Sequence, residues 1–312
     1  MEFLLIIPVL LVAFSFGVGG YTFFAACKRC DLDWSDRAAV EKTPLGKFYS
    51  QYEEAVSWAR TNGAKEISVT AHDGARLYGW WIPAENARGT MLLVHGYHSN
   101  GFTDFSAAMP IYHEMGMNIL LPCHRAHGKS GGKYITFGVQ EHRDMQKWIR
   151  FHNDSFGQVP MVLSGLSMGA ATVMYLADEP LPENVKGIIA DCGFTSPKEI
   201  IAHVFRKTTK IPAWTVMWSV RLFARFFGGF SLSGKNSVKT LARNRLPILM
   251  IHGSSDDFVP CEMTHRGYSA CTGEKTLLIV EGASHAVSFF HDTQKYTARV
   301  KELLTRCLGE DV

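Results

Sequence analysis

Hydrophobic and polar positions along this chain form two patterns, one at the N-terminus and one over the rest. Residues 3–26 carry no charged side chain, and a stretch of that length can cross a bilayer as a helix. After it, short apolar runs alternate with amphipathic helical stretches such as 138–151 and 293–307. This alternation is typical of a mostly parallel sheet with both faces covered, so we predict an α/β fold. The apolar runs lie at 91–94, 118–121, 161–163, 187–190, 246–251 and 276–280.

The apolar N-terminus is predicted to be a retained membrane anchor covering residues 1–30. A cleaved signal peptide is the alternative, but such peptides begin with basic residues, and Glu2 is the only charged residue before the apolar stretch. Lys28 and Arg29 follow directly, and positive charge next to a membrane span favours the cytoplasmic side. We therefore favour a cytoplasmic location over an external one for the domain that follows the anchor.

The remaining chain divides into four segments. A turn signal, Asp73-Gly74, joins two predicted strands at 67–70 and 77–82. More than 50 residues separate the strand ending near 191 from the one starting near 246, and a sheet crossover needs only one helix. We therefore predict an inserted cap. The segments are a polar helical stalk or embellishment (31–64), the first part of an α/β core (65–196), a helical cap (197–245) and the second part of the core (246–312).

The cap segment is basic and aromatic. It contains ten Lys or Arg residues and one acidic residue, Glu199. Its aromatic residues predict an apolar acyl pocket beneath the cap, and its charge predicts contact with an anionic membrane surface. Packing of the cap onto the core is the structural alternative. The cap residues assigned to substrate binding are Trp214, Met217, Trp218, Phe223 and Phe227.

The overall composition excludes few classes of function. Hydrophobic residues make up 46% of the 312, enough for a sizeable core. The net charge of only +3 indicates no particular partner, and no nucleic-acid partner is expected. Seven cysteines leave at least one thiol unpaired, which fits a reducing compartment. Cys27 and Cys30 form a C-x-x-C without a surrounding βαβ unit, so no redox role is predicted.

The most informative motif is Gly165-Leu166-Ser167-Met168-Gly169. It lies between an apolar run and a helical stretch, and a G-x-S-x-G in that position is the nucleophile elbow of a serine hydrolase. The glycines let strand and helix pass closely without a Cβ clash. A tight turn that happens to contain a serine is the alternative. Ser167 is the predicted nucleophile.

A serine nucleophile needs a general base, and the base needs an orienting carboxylate. His285 follows the last predicted strand in a loop of small residues and is the predicted base. Asp256 lies in the loop after the preceding strand and is the preferred acid. Asp257, which a helix cap would also explain, and Asp191, after an earlier strand, are the alternatives.

The oxyanion of an acyl-transfer intermediate needs N–H donors. The backbone N–H of Met168, next to the nucleophile, is one predicted donor, and that of Tyr97, in the loop after an early strand, is the other. His95 in the same loop is expected to brace it. The i, i+3 pairs His95/His98 and His124/His127 lack further ligands in sequence, so we predict neither a metal nor an organic cofactor.

Taken together, the motifs described above resemble those of the α/β hydrolases of the serine carboxylesterase and lipase kind. More narrowly, they resemble those of the bacterial membrane-anchored or cell-surface members. Relatives often carry Asp and Gly where Cys123 and Ala126 stand here. That loop shapes the site and does not react. The resembling segments are 95–97, 124–130, 165–169, 191–196, 252–260 and 282–285.

The resemblance and the aromatic cap imply hydrolysis of carboxylic esters with a short, medium or lipid-like acyl chain. A peptidase or amidase and an acyltransferase use the same triad and stay open as alternatives. A non-catalytic binding protein on the same fold is a further alternative, but it is expected to lack a triad member. The expected partners are a small ester or lipid-like substrate and the membrane; the oligomeric state is left open.

Overall fold

The computed structural model describes residues 2–43 and 45–309, and its centre is one sheet of eight strands. The strand order is β1-β2-β4-β3-β5-β6-β7-β8. β2 pairs antiparallel with both β1 and β4, and all other neighbours are parallel. The six apolar runs fall in β3 to β8, so the predicted α/β fold is confirmed. The strands are β1 Lys65–Thr70, β2 Arg76–Ile82, β3 Gly89–Val94, β4 Met117–Pro122, β5 Met161–Leu166, β6 Val185–Asp191, β7 Ile248–Gly253 and β8 Lys275–Val280.

Helices connect most of the strands and cover both faces of the sheet. Strand residues alternate between two core clusters, as a pleated strand requires: Leu93 belongs to one and Leu92 to the other. The helices are α1 Glu2–Cys27, α2 Arg37–Glu41, α3 Tyr49–Thr61, α4 Gly101–Asp104, α5 Ala108–Glu114, α6 Glu141–Phe156, α7 Met168–Met174, α8 Pro197–Thr209, α9 Trp214–Phe226, α10 Ser237–Leu241, α11 Cys261–Ala270, α12 Ser288–His291 and α13 Thr293–Leu308, with a 3₁₀ turn at Gly46–Phe48.

The segment predicted as a stalk or embellishment packs against the sheet. Ala55 and Ala59 of α3 are buried in the first core cluster. The ring of Tyr52 meets that of Phe102 in α4 edge-on, with centroids 6.3 Å apart. The segment therefore adds a covering helix to the core.

The long connection between β6 and β7 is helical and contains α8, α9 and α10. A third hydrophobic cluster lies among these helices, the nucleophile region and α1; it includes Phe205, Met217, Met168 and Phe23. The apolar N-terminal helix is therefore part of the folded domain over its C-terminal half.

Helix α1 runs alongside α9 at close range. A Cβ placed on Gly19 would lie 1.8 Å from the Ser219 Oγ, so only glycine permits this approach. Trp218 Nε1 donates to Ser15 Oγ at 2.8 Å, and the Ser219 hydroxyl donates to the Ser15 carbonyl at 3.1 Å. By contrast, most described side chains between residues 6 and 16 are exposed, although they are apolar. The helix has the length and hydropathy of a membrane span over Ile6–Cys27.

Candidate active site

Ser167 sits on a sharp turn between β5 and α7. Its backbone angles are φ 54° and ψ −110°, a conformation that a residue with a side chain rarely adopts. A Cβ on Gly165 would come within 2.3 Å of the Gly169 backbone, and one on Gly169 would come within 1.8 Å of the Val94 carbonyl oxygen. The two glycines of the motif are therefore required by strand-to-helix packing.

Three predicted residues form a continuous hydrogen-bonded series. His285 Nε2 lies 2.9 Å from Ser167 Oγ, and His285 Nδ1 lies 2.6 Å from Asp256 Oδ2. The Asp256 Oδ1 accepts the backbone N–H groups of Phe258 and Val259 at 2.9 and 2.8 Å. These bonds fix the carboxylate, which in turn fixes the tautomer and orientation of the imidazole.

The electrostatics of the series favour an ionised acid. Burial raises the pKa of Asp256, but hydrogen bonds from His252 and His285, together with the charge of His285, outweigh burial and hold the pKa well below its ordinary range. His252, which the sequence argument did not assign, is fully buried with Nε2 3.1 Å from Asp256 Oδ2. Its position at the end of β7 was the only available signal.

The alternative acids occupy other environments. Asp257 is exposed and forms a 2.7 Å ion pair with Lys207. Asp191 is buried, and burial raises its pKa to about 6. Its backbone carbonyl accepts the Ser167 N–H at 2.8 Å. Within residues 2–43 and 45–309, Asp256 is the only carboxylate found within hydrogen-bonding distance of His285.

The loop after β3 comes close to the nucleophile. A Cβ on Gly96 would lie 3.5 Å from Ser167 Cβ. The backbone N–H of the next residue, Tyr97, is therefore close to the serine. Asp104 accepts the Gly96 N–H at 2.6 Å and the Ser99 hydroxyl at 2.5 Å. Asp104 was missed by the sequence argument; burial raises its pKa to about 6.

The two predicted oxyanion donors are available in the described part of the chain. Met168 is the first residue of α7, where an N–H has no acceptor within its own helix. Neither its N–H nor that of Tyr97 is a donor in the hydrogen bonds found among the described residues. The Tyr97 hydroxyl donates to the Ala26 carbonyl of α1 at 2.8 Å.

The histidines of the neighbouring loops brace one another. His95 Nε2 accepts the His124 backbone N–H at 3.0 Å, and His127 Nε2 accepts the His98 backbone N–H at 3.1 Å. Burial lowers the pKa of His95 and His127 well below its ordinary value and that of His124 to about 3. These imidazoles are neutral and engaged in loop contacts.

One set of side chains in the described residues has the spacing of a metal site. Cys192, Asp256 and His285 place their ligand atoms within 4.8 Å of one another. Two of these groups already bond each other, and burial raises the pKa of the Cys192 thiol well above its ordinary value. A metal needs the thiolate, so the donor set fits a metal ion poorly.

An apolar cavity of about 490 Å³ opens beside Ser167. Its size is within the range that holds a drug-sized ligand. No charged side chain is among its described lining residues. These residues are Val18, Tyr21, Thr22, Ala25 and Ala26 of α1; Ile200, Ile201, Val204, Phe205, Thr208 and Thr209 of α8; and Tyr97, Phe137, Ser167, Phe194 and Phe258.

The cap residues predicted to bind substrate are not among the described residues that line the cavity at Ser167. Several of them pack against α1 instead. Phe223 stacks on Phe227 and meets Phe24 of α1 edge-on, with centroids 5.5 and 5.8 Å apart. Met217 is buried in the cluster between cap and α1, whereas Trp214 is 79% exposed and Trp218 bonds Ser15.

Comparison with known proteins agrees with the fold. Residues 85–220 match the family described as serine aminopeptidase, S33. The chain is 28% identical over 232 residues to YqkD of Bacillus subtilis, covering 74% of this chain and 76% of that protein. It is 24% identical over 210 residues to the uncharacterized membrane protein YNL320W of Saccharomyces cerevisiae, covering 66% and 68%.

Among solved structures, the Pyrococcus furiosus esterase Pf2001 is similar with a TM-score of 0.65 at 24% sequence identity, covering 80% of this chain and 94% of that one. Likeness at this level of identity establishes the fold. Together with the family match over residues 85–220, it shows that this chain has the α/β-hydrolase fold.

Proposed function

We propose that this protein hydrolyses carboxylic esters through an acyl-enzyme formed on Ser167. The observation that carries the proposal is the hydrogen-bonded series from Ser167 through His285 to Asp256, with distances of 2.9 and 2.6 Å, at a strained turn. Serine, imidazole and carboxylate in this order make a nucleophile, its base and the group that orients the base.

Each residue then has one role in the reaction. The Ser167 oxygen attacks the ester carbonyl carbon while His285 Nε2 takes the hydroxyl proton. The N–H groups of Tyr97 and Met168 stabilise the negative oxygen of the tetrahedral intermediate. His285 returns the proton to the departing alcohol, and a water molecule, deprotonated by the same imidazole, releases the acid. Asp256 holds the imidazole and stabilises its charged form.

The apolar cavity favours an ester with a hydrophobic acyl group over a peptide. An aminopeptidase has to bind a charged amino terminus, and the described lining residues of the cavity carry no charged side chain. The matched family's description supports the peptidase as the second candidate. An acyltransferase would follow if an alcohol displaced water at the acyl-enzyme. A non-catalytic binding role is the remote candidate.

The catalytic domain is proposed to be anchored in a membrane through α1. Residues 6–16 are mostly exposed and apolar, and Lys28 and Arg29 follow the helix. The yeast relative's description as a membrane protein supports the anchor. A cytoplasmic domain follows from the basic residues by the positive-inside rule. Protease treatment of intact cells tests this side: rapid digestion of the domain would overturn it.

The basic cap is proposed to favour anionic lipid. Arg206, Lys210, Arg221 and Arg225 are exposed on α8, on α9 and in the loop between them. Such charges attract anionic headgroups within about a Debye length. We expect hydrolysis in vesicles to rise with phosphatidylserine content and to fall with salt. Rates independent of both would exclude this contact.

The mechanism is tested with p-nitrophenyl esters and a fluorophosphonate probe. Ser167→Ala should abolish both hydrolysis and labelling, whereas Ser233→Ala, at an exposed cap position, should leave both unchanged. Full activity of Ser167→Ala would overturn the mechanism. A matched set of amino-acid p-nitroanilides separates the candidates, because faster cleavage of these amides than of esters would favour the peptidase.

A further inference from the structure

We infer that the N-terminal helix α1 is a wall of the acyl-binding site, and that the substrates are long-chain acyl esters dissolved in the membrane, whose chains lie between α1 and α8. The inference rests on the proposed ester hydrolysis at Ser167 and deepens it. An anchor would then have a second role, as a part of the site that selects the acyl chain.

The cavity lies between two helical faces. On α1, Val18, Thr22 and Ala25 follow one another at intervals of four and three residues, which places them on one side of the helix. On α8, Ile200, Val204 and Thr208 recur every four residues and line the same space. Ser167 lines it as well, so a chain held between the helices has its carbonyl end at the nucleophile.

Helix α1 is fixed by contacts with both the cap and the core. Its central part packs on α9 through the close contact of Gly19 with Ser219. Beyond its C-terminal end, Arg29 donates to the carbonyls of Ser130 and Gly132 at 2.7 and 3.0 Å. These contacts join the helix both to the cap and to the core, which a flexible tether would not need.

The helix also contacts the candidate oxyanion loop. The Tyr97 hydroxyl donates to the Ala26 carbonyl, and both residues line the cavity. The ring of Tyr97 stacks on that of Phe137, another lining residue, with centroids 5.5 Å apart. The wall and the catalytic loop are therefore in direct contact.

The mouth of the cavity lies next to an apolar surface. Tyr21 and Ala25 line the cavity and are exposed, so the cavity opens along α1. In α9, exposed apolar residues recur every four positions and form one stripe, which we call the α9 stripe: Trp214, Trp218, Leu222 and Phe226.

The α9 stripe is continuous with the exposed apolar part of α1, because Trp218 contacts both Ser15 and Phe16 of that helix. Apolar surface of this extent marks a membrane or protein contact. Its continuity with a helix long enough to span a bilayer indicates lipid as the occupant. A mouth beside lipid takes up a substrate from the bilayer without passing its acyl chain through water.

The inference is tested in the full-length protein by substitutions that place a larger side chain in the cavity, one on α1 and one on α8. Ala25→Phe on α1 and Thr208→Phe on α8 should each lower kcat/KM for p-nitrophenyl dodecanoate about tenfold or more, because the added rings remove space for several methylenes. The same variants should lower kcat/KM for p-nitrophenyl acetate much less, because a two-carbon acyl group fills little of the cavity. Leu11→Phe, on the exposed N-terminal part of α1, is the matched control and should leave the whole series unchanged.

Binding without turnover provides a readout that does not depend on catalysis. In a Ser167→Ala background, a fluorescent dodecyl probe should bind, and Ala25→Phe should weaken its binding about tenfold while Leu11→Phe does not. Equal binding and an unchanged chain-length series in Ala25→Phe and Thr208→Phe would overturn the inference. If the wild-type protein neither hydrolyses p-nitrophenyl acetate nor reacts with the fluorophosphonate, the proposed ester hydrolysis is contradicted. The binding result would still decide the role of α1.

Discussion

The hydroxyl of Tyr97 donates a 2.8 Å hydrogen bond to the carbonyl oxygen of Ala26, 71 residues earlier in the chain. This bond joins the loop that carries a proposed oxyanion donor to the last turn of the apolar N-terminal helix. Displacement of the helix relative to the core would therefore move the Tyr97 backbone as well.

We predict that Tyr97→Phe lowers kcat for short-chain esters several-fold with little change in KM, because loss of one hydrogen bond worth about 1 kcal/mol loosens the loop. Steady-state kinetics with p-nitrophenyl acetate measure the effect. Tyr134→Phe, in which the ring still packs on Phe23, is the matched control and should behave as wild type. An unchanged kcat in Tyr97→Phe would mean that the loop is fixed by its other contacts, such as Asp104.

The assignment of the acid is tested by a pair of neighbouring residues. Asp256→Asn should lower kcat by about 10³–10⁴-fold, because the carboxamide no longer holds the productive imidazole tautomer. Asp257→Asn removes an exposed carboxylate whose partner is Lys207, and kcat should stay within a factor of about two. Pre-steady-state kinetics with p-nitrophenyl acetate resolve the acylation step in both variants. A larger loss in Asp257→Asn than in Asp256→Asn would reverse the assignment.

Asp191 is expected to make stability depend on pH. Burial raises its folded-state pKa to about 6, even though the charges of His252 and His285 and contacts with Tyr296 and Ser288 act in the opposite direction. A carboxyl in the unfolded chain titrates near 3.9, so the folded state holds the proton more tightly between about pH 4 and 6. The contribution of Asp191 is therefore most favourable below pH 4 and is lost as pH rises through 6.

We predict that Asp191→Asn stabilises the protein at pH 8, by up to roughly 3 kcal/mol, and changes stability much less at pH 4. Urea unfolding at the two pH values measures the difference. Asp154→Asn, at an exposed position on α6, is the control and should stay within about 0.5 kcal/mol of wild type at both. Equal effects of Asp191→Asn at pH 4 and pH 8 would contradict the raised pKa.

The sequence predicted those features that short segments determine. The elbow at Ser167 is specified by two glycines within five residues, and each of the strands β3 to β8 by an apolar run of three to six residues. Because parallel strands end at one edge of the sheet, the loops holding Asp256 and His285 could be expected near the serine. The acid and base follow from this rule without any knowledge of side-chain packing.

Features that depend on packing between distant segments could not be predicted. An apolar helix offers similar residues on every side, so nothing in the sequence indicates that Gly19 meets Ser219, 200 residues away. The same packing turns Phe223 toward α1 and leaves Val18 and Ala25 to line the cavity. His252, at the end of β7, and Asp104, at the end of α4, were missed for a related reason: a buried polar side chain shows its role only when its partner is known.

The α9 stripe offers a test of how the domain meets the membrane. Trp214 and Phe226 lie at its two ends and are each 79% exposed. We predict that Trp214→Glu or Phe226→Glu slows hydrolysis of a dodecanoate ester dissolved in vesicles about tenfold. The reason is that placing a carboxylate among lipid chains costs more than about 2 kcal/mol. Hydrolysis of p-nitrophenyl acetate in solution should not change, since neither residue lines the cavity among the described residues. Ala242→Glu, next to α10, introduces the same charge at an exposed cap position outside the stripe and is the control. If Trp214→Glu left the vesicle rate unchanged while Ala242→Glu lowered it, a different face of the cap would contact the bilayer, and the cavity mouth beside α1 would open to water.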